Sequence, residues 1–245
     1  MIKPQKLKPG DTIEIIAPAG VIKEEERLEK AKENIEKKGY KVIISSQCYK
    51  KKRYLAGEDH DRLRTLENAF KNPEVKAVFA ARGGYGCMRF IEKINTDIIK
   101  QNPKIFLGYS DITVLHSLFN KECNLVTYHG PLAAMDFGID SYDNFSWENM
   151  WKVLEGKILL QEDFPNSYTP VCLISGQAKG KLVGGNLTLL SMLLGTPFSP
   201  DYTDKILFIE DVGESYYSID RSLMHLKLSG VFEQINGIIF GEFSN

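Results

Sequence analysis

Long apolar runs are missing from this sequence. No stretch approaches the ~20 residues that a spanning helix needs, and Met1 to Gly10 scatters lysines and prolines where a secretory leader would place an apolar core. The expectation is a cytoplasmic protein with no membrane partner. Cysteine is scarce too. Cys48, Cys87, Cys123 and Cys172 lie far apart without any C-x-x-C spacing, which excludes a zinc knuckle and a disulfide-dense scaffold and points to reduced thiols in or near the core. Nor is either sign of charge in excess. Lysine plus arginine number 31 and aspartate plus glutamate 32, for a net charge of −1, so no basic surplus recommends nucleic acid. A small-molecule or peptide partner is expected instead.

What is present reads as an ordinary globular chain. The 245 residues are 43% hydrophobic and 26% charged, enough for one large domain or two small ones. Thr12 to Ala17 is a β-rich run stopped by Pro18-Ala19-Gly20. Glu24 to Lys38 carries Leu28, Ala31 and Ile35 at helical spacing, with Gly39 where a C-cap belongs. The alternation continues with strands over Tyr40–Ser46, Val75–Ala80 and Lys104–Gly108. Helices are predicted over Asp59–Phe70, Met88–Ile94 and Asp111–Phe119. This predicts an α/β fold with a mostly parallel sheet and helices on both faces, whose ligands bind beyond the carboxyl ends of the strands. A domain of residues 1–135 is expected, then a linker over 136–165 that includes a helix ending at Leu154, then a mixed α/β domain over 166–245. In the last part, Gly184-Gly185-Asn186 reads as a turn leading into a helix; strands are expected at Lys205–Ile209 and Gly237–Phe240, with a helix over Ile219–Leu228.

Three loops follow strands of the first sheet and hold the chemistry. In Gly108-Tyr109-Ser110-Asp111 a strand turns into a helix, a place where a serine hydroxyl can be forced outward at a sharp elbow; the same residues also suit a plain N-cap. Arg82-Gly83-Gly84-Tyr85-Gly86 lacks the lysine of a nucleotide P-loop, yet adjacent glycines let a substrate approach the backbone and its N–H donors. Phe208 to Glu214 ends a strand with Glu210, Asp211 and Glu214, and no histidine stands near them except His225, so no metal is expected. Of the histidines His60, His116, His129 and His225, His129, before Gly130-Pro131, is the best placed for a site role.

Taken in order, Ala17-Pro18-Ala19, Leu55-Ala56-Gly57-Glu58, Ala81 to Gly86, Gly108 to Asp111, His129-Gly130-Pro131, Gly184 to Leu187 and Phe208 to Glu214 resemble the LD-carboxypeptidase family of serine peptidases from end to end. The resemblance implies a parallel-sheet N-terminal domain, a smaller β-rich C-terminal domain, an active site between them and a homodimer. It also implies a Ser-Glu-His triad without metal or cofactor. Ser110 matches the nucleophile and Glu210 the acid that orients the histidine, with Glu214 as the alternative. Gly84 and Asp111, through their backbone N–H groups, match the oxyanion hole. Arg82, Gly83 and His129 are the expected substrate contacts.

The family's catalytic histidine lies several tens of residues beyond the strand that here is Gly237 to Gly241, and no residue up to Asn245 matches it. A truncated C-terminal domain is expected, the other reading being a chain inactive as it stands. The implied substrate is a small peptide, the murein tetrapeptide recycled in the bacterial cytoplasm, losing its terminal D-alanine from an L-centred diamino acid. The alternatives are an immunity peptidase that cleaves aminoacyl-nucleotide antibiotics, favoured by a tryptophan in the cleft, and a non-catalytic peptide-binding protein.

Overall fold

The computed structural model describes residues 1–157 and 170–244. The first half alternates as predicted. Strands β1 (Thr12–Ile16), β2 (Lys41–Ile44), β3 (Val75–Ala80), β4 (Ile105–Gly108) and β5 (Tyr128–His129) form one parallel sheet in the order β2-β1-β3-β4-β5. The inner strands β1, β3 and β4 are short and largely apolar because both faces are covered; every residue of β4 is buried. Helix α1 (Glu26–Lys37) turns Leu28, Ala31 and Ile35 inward and stops before Gly39, whose φ is +93°. Helix α2 (Asp59–Lys71) buries Leu66, Ala69 and Phe70, and with them a whole arginine, Arg62. Two 3-10 turns, Cys87–Arg89 and Ile91–Lys93, replace the single helix expected there. They are followed by α3 (Thr96–Gln101) and, after the 3-10 turn Ser110–Ile112, by α4 (Thr113–Glu122).

His129 lies in β5 and not on a loop, since Tyr128 and His129 pair with Leu107 and Gly108. Two residues are too few to show a strand period. After α5 (Ala133–Asp136) comes α6 (Asn144–Leu154), inside the stretch expected to join the domains. It belongs physically to the first core: Trp147, Met150, Trp151 and Leu154 pack against Tyr40, Phe79 and Phe137, and Trp151 stacks on Tyr40 at 4.7 Å. Each such buried side chain contributes roughly 1.5–3 kcal/mol. The predicted polar connection Gln161–Thr169 lies outside the described residues.

The second sheet is also parallel, with β6 (Lys181–Asn186), β7 (Lys205–Val212) and β8 (Gly237–Ser244) in sequence order. Helices α7 (Leu187–Leu193) and α8 (Tyr216–Leu228) complete the mixed α/β domain. Gly184 and Gly185 form the end of β6, where a turn was expected. They are glycines because a side chain on Gly184 would run into the Phe208 carbonyl and one on Gly185 into Thr113 of α4. The Asn186 N–H donates to Thr113 Oγ1 at 3.0 Å across this junction. The second domain is thereby seated on the helix that follows Ser110. Cys48, Cys87 and Cys123 are buried free thiols, whereas Cys172 is exposed, outside either core. Among the described residues no helix is long and apolar enough to cross a membrane.

Candidate active site

The site grows from the end of β4. A Cβ on Gly108 would sit 2.9 Å from both Ala80 and Ile112, so the strand passes close to its neighbours and the chain must turn at once. Ser110 takes up that turn in the left-handed region, with φ +63°. Such backbone costs a non-glycine residue on the order of 1–3 kcal/mol. The side chain is half-buried, and Gly83 lies directly against it: a Cβ there would stand 2.7 Å from Ser110 Cβ and 2.8 Å from Oγ. The serine and the glycine turn after β3 are therefore packed together by the absence of a methyl group.

The turn itself is held from several sides. The Gly20 N–H donates to the Gly83 carbonyl at 3.0 Å. Gly84, at φ +101°, has the backbone freedom this turn requires. The Cys87 N–H donates to Asp111 Oδ2 at 2.8 Å, and Asp111 is fully buried. Burial raises the Asp111 carboxyl, with the Cys87 N–H and the Arg62 guanidinium acting against it. Asp111 thus has a side-chain task, fastening the glycine turn to the serine elbow, that its reading as a backbone donor had missed. Arg82 is half-buried and donates through Nη1 to the Val21 carbonyl at 2.9 Å, which ties the loop after β1 to the same turn.

Arg62 was not among the expected site residues. From α2 its Nη1 donates to the Pro18 carbonyl at 2.6 Å and the Gly86 carbonyl at 2.8 Å, while Nη2 bonds Asp59. One guanidinium therefore pins both loops beside Ser110, and Gly86 is a glycine because a Cβ would meet Arg62 Nη1 at 2.6 Å. The only sequence signal was an arginine among the inward positions of an amphipathic helix. His116 is the other omission. It turns back from α4 to bring Nε2 within 2.8 Å of the Gly108 carbonyl, where burial lowers its pKa to about 4.

The carboxylate cluster separates by direction. Glu210, 9% exposed, looks into a cleft of about 640 Å³ shared with Tyr109, His129, Asp136, Phe208 and Glu242. Burial, and then the neighbouring Asp211, push its pKa up to about 7. Its Oε1 is buried, accepts no hydrogen bond among the described residues and stands 3.6 Å from His129 Nε2. Burial and then His116 lower the His129 pKa. Asp211 faces the other way: it accepts from Thr188 N–H and Oγ1 at 2.9 Å and from Asn186 Nδ2 at 2.7 Å, bracing Asn186, the N-cap of α7. Glu214 lines a separate depression with Ser191, Arg221 and His225. The structure brings Ser110, Gly83, Gly84, Asp111 and Arg82 together at one turn. Tyr109, the neighbour of Ser110, shares the cleft with Glu210 and His129. Glu214 is not in that cleft. No group of three histidine, cysteine or acidic side chains among the described residues could hold a metal ion.

Comparison with known proteins covers both parts of the chain that carry this geometry. Residues 13–130 match the LD-carboxypeptidase N-terminal domain and residues 179–245 the LD-carboxypeptidase C-terminal domain. The chain belongs to the LD-carboxypeptidase family. The probable murein peptide carboxypeptidase of Bacillus subtilis (strain 168) is 40% identical, over 99% of this chain and 75% of its own length. Among solved structures, an MccF-like protein from Bacillus anthracis str. Ames superimposes with a TM-score of 0.90 at 28% identity, over 100% of this chain and 81% of that one. The muramoyltetrapeptide carboxypeptidase of Oxalobacter formigenes gives 0.80 at 30% identity, over 96% and 77%. Both loops that close on Ser110 fall within the N-terminal match, and Glu210 within the C-terminal one. The two matched parts meet at α4, where the Asn186 N–H donates to Thr113 Oγ1.

Proposed function

We propose that this LD-carboxypeptidase is a serine peptidase that removes the C-terminal D-alanine from murein tetrapeptides of the kind recycled in the cytoplasm, cutting its bond to an L-centred diamino acid. The observation that carries the reading is the Ser110 elbow, a left-handed serine against a glycine turn. Ser110 Oγ attacks the scissile carbonyl while an imidazole base takes its proton, and Glu210 orients that base and supports its charge. The Gly84 and Asp111 N–H groups receive the oxyanion. Collapse of the tetrahedral intermediate expels the amine of D-alanine, which takes the proton from the imidazolium, and water then cleaves the acyl-enzyme.

The buried, unpartnered Oε1 supports Glu210 in this role, since it is an acceptor open to an imidazole N–H. His129 Nε2 stands 3.6 Å from Glu210 Oε1 in the cleft. It serves in this reading as a substrate contact beside Glu210. Arg82 spends one of its five donors on Val21; the rest suit a terminal carboxylate.

The immunity-peptidase alternative calls for an aromatic platform under a nucleobase. Both tryptophans, Trp147 and Trp151, are buried in the first core, so a platform in the cleft falls to Tyr109, Tyr142 or Phe208.

The test is D-alanine release from tetrapeptide, measured with and without free imidazole because no histidine of residues 1–245 matches the triad base. Release that rises with imidazole and disappears in Ser110→Ala is the expected result. Equal release by Ser110→Ala refutes the nucleophile. Tight tetrapeptide binding without release under any condition favours the non-catalytic reading.

A further inference from the structure

At the pole of the first sheet opposite the Ser110 loops, the amino ends of β1, β3 and β4 open into a cavity of about 670 Å³. Its wall carries Lys3, Lys6, Lys8, Lys76 and Lys104 against a single carboxylate, Asp11. In a chain whose basic and acidic residues nearly balance, that is a local surplus of one sign. Elsewhere on the first domain Lys30, Lys38, Lys50, Lys51 and Lys52 each sit within ion-pair distance of an aspartate or glutamate. Among the described residues, none of the five cavity lysines has such a partner. Asp11 is itself occupied, accepting the backbone N–H of Lys8 at 2.8 Å.

Two of the amines, the buried Lys104 and the exposed Lys76, are held in place by carbonyls. Lys104 is buried and donates to the Ala69 carbonyl at 3.0 Å and to that of Asn72; Lys76 donates to the Pro73 carbonyl at 2.8 Å. Burial and then the charge of Lys76 lower the Lys104 pKa to about 8, with Glu14 opposing. The cluster is thus a set of positioned like charges whose repulsion an anion would relieve. Lysines act as point charges without the planar fork of arginine, so they reward charge density more than shape. A chain of linked phosphoryl groups supplies the most charge in the least volume, and the cavity has room for one with a nucleoside attached.

We propose that this pole of the first domain is a binding site for a small polyanion of linked phosphoryl groups, held by Lys3, Lys6, Lys8 and Lys76 around the buried Lys104. The site shares no residue with the catalytic cleft, so it stands whether or not the peptidase reading does. Calorimetric titration of the full chain with inorganic tripolyphosphate tests it. Saturable one-to-one binding is expected, weakening about tenfold or more as salt rises from about 50 to about 300 mM. The exposed pair Lys6→Gln/Lys76→Gln is expected to lose about tenfold or more in affinity, and Lys93→Gln/Lys227→Gln, remote from the cavity, less than about twofold. A nucleoside triphosphate run in parallel distinguishes the sources. Equal affinity assigns recognition to the phosphoryl chain alone, and tighter binding assigns part of it to the nucleoside. No saturable heat, equal losses in the two double variants, or citrate binding as tightly as tripolyphosphate overturns the proposal.

Discussion

Adding one carbon atom at Gly83 is the sharpest probe of the elbow. Gly83 lies outside the left-handed region, so alanine there meets no backbone penalty. Its cost comes from contact alone, a Cβ at 2.7 Å from Ser110 Cβ and 2.8 Å from Oγ. Carbon atoms prefer separations of about 3.5–4.0 Å, so Ser110 must retreat by close to 1 Å or the glycine turn must lift away from it. Overpacking of this kind costs about 1–3 kcal/mol, which in a chain of this size lowers Tm by roughly 2–4 °C per kcal/mol. Displacing a reacting atom by about 1 Å costs about a hundredfold in rate. Gly83→Ala is therefore expected to unfold a few degrees early, and to lose about a hundredfold in imidazole-supported D-alanine release with little change in KM. The control is Gly176→Ala, whose Cβ meets nothing within 4 Å; it should match the parent in both assays. A Gly83→Ala protein with parental Tm and parental turnover would show that Ser110 and the glycine turn are not in contact, and the proposed nucleophile would fall with them.

Three further outcomes follow from the same geometry. Arg62→Met removes the donor to the Pro18 and Gly86 carbonyls and leaves Asp59 with Arg89 alone. Urea unfolding should report a loss of about 3–5 kcal/mol, and a loss below about 1 kcal/mol would mean that the pin is dispensable. Glu210 has a folded pKa of about 7, above its ordinary 4.5, so the folded state holds the proton more tightly. Its contribution to stability is therefore present at acidic pH and is lost as pH rises from about 4.5 through 7. Relative to the parent, Glu210→Gln should be neutral near pH 4.5 and more stable by about 2 kcal/mol at pH 8, after discounting for partial solvent screening. A stability difference that does not change with pH would refute the burial of this carboxyl. Asp211→Ala removes the acceptor of the Thr188 N–H in the first turn of α7 and of the N-cap residue Asn186. It should cost about 1–3 kcal/mol yet leave the Glu210 pH effect in place, and loss of that effect would mean that the two acids do not face apart.

Much of this protein follows from local pattern. The strand and helix alternation of the first domain, the inward faces of α1 and α2, and the loops that carry Ser110 and Gly83 are legible because a parallel strand buried on both faces and a helix buried on one leave different periods in the sequence. The resemblance added the order of the motifs. Other features depend on partners distant in the chain, and no local window contains them. Gly184 and Gly185 read as a turn because glycine pairs normally are, and they extend β6 because Phe208 and Thr113 leave no space for side chains. Glu210 and Asp211 are adjacent acids with one composition and two fates, since successive residues of a strand point to opposite sides. Arg62, on a helix read only for its apolar stripe, holds Pro18 and Gly86 from 44 and 24 residues away. Sequence alone determined most elements of the first domain and where the reactive loops begin. Only the tertiary structure decided which side chains those loops press together, because hydrogen bonds and steric exclusion act through space between residues that the chain keeps far apart.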